Sequence, residues 1–195
     1  MTNLKLNETP IRTAKNYGIN NIKLENINVP ENISEFNGLK IKGVSNDGKI
    51  TLKENICKND FKYGNGDILS RQIEEKSNKN LCIEINEGLN EELFLDFEFS
   101  KDNTNLVENI LIKADENTKG TIIIRFTSKE EKEYYHNGQI KIIAEKNAKL
   151  NIVLVNLLNK KTNHFLAIEN IIKENAEVKY VTAEFGGKNT IINYY

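Results

Sequence analysis

His136 and His164 are the only histidines in this chain of 195 residues, and 28 positions separate them. Each stands eleven residues before an asparagine, Asn147 and Asn175, so the two share a phase in a repeating sequence. On stacked repeats their imidazoles would be near neighbours. Such a pair reads either as a two-histidine contribution to a metal site or as a like-on-like ladder at a turn. A protein metal site needs three or four ligands. The matching place one repeat earlier is Leu106, and no cysteine shares the phase.

Other chemistry-bearing residues are more scattered. Cys57 sits in a polar stretch and Cys82 on an outward phase of its strand, a pattern that makes neither a disulfide framework nor a zinc cluster. Paired carboxylates at Glu91-Glu92 and Glu130-Glu131 could serve glycoside chemistry. They are mixed with lysine near turns, which is the pattern of solvated loop charge. Asn65-Gly66-Asp67 and Gly186-Gly187-Lys188 lack the spacing of a phosphate-binding loop.

The elements that must position these residues follow from a repeat. Ala114-Asp115-Glu116-Asn117, Ala144-Glu145-Lys146-Asn147 and Ile172-Lys173-Glu174-Asn175 align on their asparagines, and Gly88 takes that place one repeat earlier. The steps are 29, 30 and 28 residues, a period that marks a solenoid. Before the marker, Leu81, Ile83 and Ile85 correspond to Ile110, Ile112 and Ala114, then to Ile140, Ile142 and Ala144, then to Ile168, Asn170 and Ile172. After it, Leu93 and Leu95 correspond to Ile122 and Ile124, to Ile152 and Leu154, and to Tyr180 and Thr182. Alternation of period two identifies two half-buried strands per repeat. We therefore expect a mainly β protein, a right-handed parallel β-helix of about 29 residues per coil with a small N-terminal α/β segment. The asparagines are expected to hold left-handed turns, with Gly88 substituting for the same reason. Ile122-Ile123-Ile124, Ile152-Val153-Leu154-Val155 and Tyr180-Val181 are apolar on both faces, which predicts a cover over the outer face there.

Residues 1–78 form the expected N-terminal segment and residues 79–195 the coils. The first part holds a possible strand at Ile22-Lys23-Leu24 and a hairpin over 39–55 turning at Asn46-Asp47-Gly48. A short helix is expected over 67–77 with Asp67 as its N-cap. Net charge is −1 with interspersed signs and no basic stripe, which argues against nucleic acid. No apolar run approaches the roughly 20 residues of a membrane span, and Met1-Thr2-Asn3-Leu4-Lys5 opens no signal region. A cytoplasmic location is the expectation. The strand-like ending at Asn193-Tyr194-Tyr195 carries no cap, so an open edge able to pair with another chain, such as a second copy, is expected.

Several blocks, taken in order, resemble the SufB/SufD family of the SUF iron–sulfur cluster assembly system, and are most similar to SufD. Thr9-Pro10-Ile11-Arg12-Thr13 followed by Tyr17-Gly18-Ile19-Asn20 resembles the family's Pro-x-Arg-Thr opening, with Ala14 and Lys15 where a tryptophan is frequent. Tyr135-His136-Asn137-Gly138-Gln139-Ile140 and onward to Lys149 is similar to the His-Asn-Gly strand block. Val178-Lys179-Tyr180-Val181 through Phe185-Gly186-Gly187-Lys188 resembles the block after it. The resemblance implies a non-enzymatic scaffold that works with SufB-like and SufC-like partners. It implies no cofactor in this chain, an iron–sulfur cluster occurring only in the assembled complex. Family members continue into further coils and a C-terminal helical region that bears the SufC contact and the late cluster-building residues. Those positions have no counterpart in this sequence, so no cluster residue carries over. Two other readings of the repeat are a β-helix that binds or cleaves polysaccharide, and a self-associating structural solenoid.

Overall fold

The computed structural model describes residues 1–6, 22–44, 47–54 and 61–195. In chain order these hold β1 (Thr2–Leu6), β2 (Ile22–Ile27), β3 (Leu39–Lys42), β4 (Ile50–Glu54) and helix α1 (Asp67–Lys76). Then come β5 (Lys79–Ile85), β6 (Leu93–Phe99), β7 (Asn105–Ala114), β8 (Lys119–Ser128) and β9 (Tyr135–Ala144). The chain continues with β10 (Lys149–Leu157), β11 (Asn163–Ile172), β12 (Glu177–Glu184) and β13 (Asn189–Tyr194). Odd-numbered strands from β5 to β13 stack in parallel in one sheet, and even-numbered strands from β6 to β12 stack in parallel in a second. The result is a β-solenoid of about four turns with a spacing of about 29 residues.

The register reproduces the alignment of the repeats. Leu81, Ile110, Ile140 and Ile168 are successive rungs of one ladder, and Leu93, Ile122, Ile152 and Tyr180 of another. These side chains face each other across the two sheets and form one continuous core. Burying an isoleucine or leucine contributes roughly 1.5–3 kcal/mol relative to leaving it exposed. One coil alone has nothing to bury them against, so the coils stabilise one another. At the start of the stack Phe36 is fully buried, its ring 5.2 Å from that of Phe99 and 6.4 Å from that of Phe97.

The turn asparagines behave as their spacing suggests. Asn117, Asn147 and Asn175 have φ of 62°, 59° and 55°, in the left-handed region. The amides of Asn117 and Asn147 donate to the carbonyls of Lys146 and Glu174 one coil on, so the turns are themselves a hydrogen-bonded ladder. Gly88 departs from this expectation, because its φ is not positive and a side chain there would meet only ordinary contacts near Lys119.

Three further expectations change. The segment 39–55 is not a hairpin: β3 pairs antiparallel with β6 and β4 antiparallel with β5, so the two strands separate onto the two sheets and close the first coil. Asp47 and Gly48 lie in the turn between them, while Asn46 lies outside the described residues. The N-cap of α1 is Gly66, with φ 108° and no side-chain cap, and Asp67 is the first helical residue, where its charge faces the positive end of the helix dipole. The cover lies over the other sheet. Strands β1 and β2 and helix α1 pack Leu4, Leu6, Ile27, Leu69 and Ile73 against Val107, Tyr135 and Phe165 on the odd-numbered strands. On the even-numbered sheet Ile123, Val153 and Val155 stay half-buried, and Val181 is 61% exposed. The strand expected at Ile22-Lys23-Leu24 is present as β2, antiparallel to β1.

Candidate functional site

The block from Tyr135 to Gln139 divides its side chains between the two faces of β9, as pleating requires. Tyr135, Asn137 and Gln139 point outward to α1. The Tyr135 hydroxyl donates to Gln72 Oε1 at 2.8 Å, and the Asn137 amide donates to the same oxygen and to the Leu69 carbonyl, both at 2.9 Å. Gln72 Nε2 in turn donates to the Pro30 carbonyl at 2.9 Å, and Gln139 Nε2 to Ser70 Oγ at 3.3 Å. This network fixes the helix on the sheet. Burial pushes the Tyr135 phenol upward, so it stays a donor.

His136 and Gly138 point inward. His136 and His164 are adjacent rungs, and their Nδ1 atoms lie 2.6 Å apart with the ring planes inclined by 27°. One ring must donate and the other accept. Glu108 reaches the same space from β7, its Oε1 being 3.3 Å from His136 Nε2. Glu108 and His136 are fully buried and His164 is 1% exposed. Phe99 and Phe126 pack around the pair, with the Phe126 ring 4.6 Å from His136 and 5.1 Å from His164. Gly138 makes room for the carboxyl group: a Cβ there would stand 2.7 Å from Glu108 Oε1 and 2.8 Å from His136 Nε2.

Polar side chains here meet apolar walls. Among the described residues, both Glu108 oxygens and the Nε2 atoms of both histidines find no hydrogen-bond partner. Burial raises the Glu108 carboxyl to about 8 and lowers His136 to about 3. His164 is lowered by burial and by the neighbouring His136. All three shifts favour uncharged groups.

The two histidines expected to be neighbours are therefore neighbours, and their contact is a hydrogen bond between ring nitrogens. Among the described residues no group of three or more His, Cys, Asp or Glu side chains is arranged to hold a metal ion. Cys82 is a free, half-buried thiol on an outward position of β5, and Cys57 lies outside the described residues, as do the blocks 9–13 and 17–20. Glu91 and Glu92 are exposed in the turn before β6, and Glu130 accepts a hydrogen bond from the Tyr134 hydroxyl in the turn after β8. In Gly186-Gly187-Lys188, a Cβ on Gly186 would lie 1.6 Å from the Leu158 carbonyl oxygen, so this glycine serves close backbone packing.

Glu108 was not singled out by its spacing, although the signal was there. It lies two residues before Ile110 in an inward phase. A charged residue on an apolar stripe, two positions from the rung that carries histidine in later coils, marks a polar group inside the core.

The fold and register define a β-solenoid protein whose odd-numbered sheet is covered by a helix and a two-stranded ribbon. A family model described as SUF system FeS cluster assembly, SufBD core domain, matches residues 97–195. The chain belongs to the SufBD family of the SUF iron–sulfur cluster assembly system. Neither the curated proteins nor the solved structures give a match.

Proposed function

We propose that this chain is a SufD-like scaffold component of SUF iron–sulfur cluster assembly, without enzymatic activity of its own and working in the cytoplasm. The observation that carries this reading is the match of residues 97–195 to the SufBD core domain. The solenoid supports it, since the match runs from β6 through β13. The His-Asn-Gly block adds to it: the same residues that resemble SufD anchor α1 through Asn137 and make room for Glu108 through Gly138. In this reading the chain binds no cofactor by itself, and an iron–sulfur cluster belongs to the assembled complex. Its partners are SufB-like and SufC-like proteins. Among the described residues β12 and β13 are each paired on one side, and a SufB-like chain or a second copy would add its strands beside them.

The test is co-purification. The chain is tagged, expressed in its source cells and captured, and its partners are identified by mass spectrometry. Recovery of SufB-like and SufC-like proteins supports the scaffold role. Recovery of neither, with the chain folded and abundant, counts against it.

A further inference from the structure

We propose that Glu108, His136 and His164 act as one proton-holding unit inside the solenoid, and that gaining or losing a proton there loosens the stack between β7 and β11. The middle of the solenoid is then a pH-sensitive joint.

The 2.6 Å contact between the two Nδ1 atoms needs a single proton between them. If His136 donates it, His136 Nε2 becomes an acceptor, and the Glu108 carboxyl 3.3 Å away is the donor that would complete it. That arrangement holds one proton on each of the three groups and carries no charge. If His164 donates instead, His136 Nε2 carries a hydrogen towards Glu108, which can accept it as a neutral carboxyl group or, having lost its own proton, as a buried anion. A buried charge without a full set of partners costs several kcal/mol, so the neutral arrangement is the folded one.

Among the described residues, the surroundings offer no alternative compensation. Around the pair stand Leu106 on the neighbouring rung of β7, Phe99 on β6 and Phe126 on β8, none of which titrates. Thr190 on β13 is the rung beyond His164, and its hydroxyl donates to the Gly186 carbonyl. Asn156 on β10 follows Phe126 in its ladder and donates to Glu184 on β12, an exposed carboxylate at the rim. Tyr134, whose ring meets Phe99, sends its hydroxyl to Glu130. Among the described residues, Glu108 is thus the carboxyl group in contact with the histidines.

The sign of the response follows from the shifts. The folded carboxyl, raised to about 8 from its ordinary 4.5, keeps a proton that the unfolded chain has lost, so stability falls as pH rises through that window. The folded imidazoles are lowered from 6.5, His136 to about 3, and refuse protons that the unfolded chain takes up, so stability falls as pH drops below about 6.5. With two imidazoles opposing one carboxyl between 4.5 and 6.5, the contribution of this unit to stability is greatest near pH 6.5.

The experiment measures Tm of the full chain from pH 5 to pH 8.5 for the wild type, for Glu108→Gln and for the double variant His136→Leu with His164→Leu. Glutamine keeps the volume and a donor for His136 Nε2 but does not titrate. Leucine copies Leu106 on the same ladder. The wild type should lose Tm on both sides of about pH 6.5. Glu108→Gln should abolish the alkaline loss, and the double variant the loss between pH 6.5 and 5. Parallel profiles for all three chains overturn the proposal. A readout independent of the variants is the histidine ring NMR titration of the wild type, unambiguous because the chain has two histidines. Ring signals unchanged down to pH 5 support the unit, and titration near 6.5 overturns it.

Discussion

The side-chain amide of Asn147 donates to Oδ1 of Asn117 at 2.8 Å, joining two left-handed turns one coil apart. The same residue type thus serves the backbone twist and the stacking of the turns. Asn147→Ala should cost about 1–2 kcal/mol, because a Cβ-bearing residue without a local side-chain bond is disfavoured in the left-handed region. Asn147→Gly relieves the backbone term and should be milder. Denaturant unfolding of the two variants checks the order, and equal losses would show that the side-chain bond, not the backbone, dominates.

Ile140 is 1% exposed and sits between Ile110 and Ile168 in the central ladder. Ile140→Ala should lower unfolding free energy by about 2–5 kcal/mol, the range for truncating a core isoleucine. Since each coil rests on its neighbours, the loss should appear as one cooperative transition shifted to lower denaturant. A variant matching the wild type would contradict the core assignment.

Gln72 joins α1 to β9 by accepting from Tyr135 and Asn137. Gln72→Ala leaves both donors without that acceptor, at a cost of about 1–3 kcal/mol for each buried group left unpaired. Hydrogen exchange should quicken in α1 before it changes in β9 and β11. Uniform exchange across the chain would mean that the helix is held by its apolar contacts alone.

Arg125 and Asp96 form a two-pronged ion pair on the outer face of the even-numbered sheet, at 2.9 and 2.6 Å. The arginine side chain is 38% exposed, so solvent screens the pair. Arg125→Ala should change stability by about 1 kcal/mol or less. A loss as large as that of Ile140→Ala, read from the same denaturant curves, would overturn this ranking.

Much of the fold was legible because the repeat carries its own register. Once Asn117, Asn147 and Asn175 are aligned, every inward residue from Leu81 to Tyr180 follows, since a pleated strand leaves no freedom in which face a side chain takes. The departures lie where the chain stops repeating. A short alternating stretch such as Leu39–Glu54 looks the same whether its strands pair with each other or with two different sheets, and the choice depends on β5 and β6, far along the sequence. Apolar content on the even-numbered strands points to a cover there, yet the cover lies over Val107, Tyr135 and Phe165. Tyrosine and asparagine at 135 and 137 look solvent-facing until Gln72 supplies their partner. The candidate site was half legible: shared phase brought His136 and His164 together, while Glu108 and Gly138 needed the same phase read one step further from the turn.

Strands β3 and β4 run against the direction of the strands they close, and they are four and five residues long with Lys40, Lys42 and Lys53 on them. Short, lysine-bearing strands discourage further pairing. Among the described residues, then, the first coil is closed by strands that turn a further chain away.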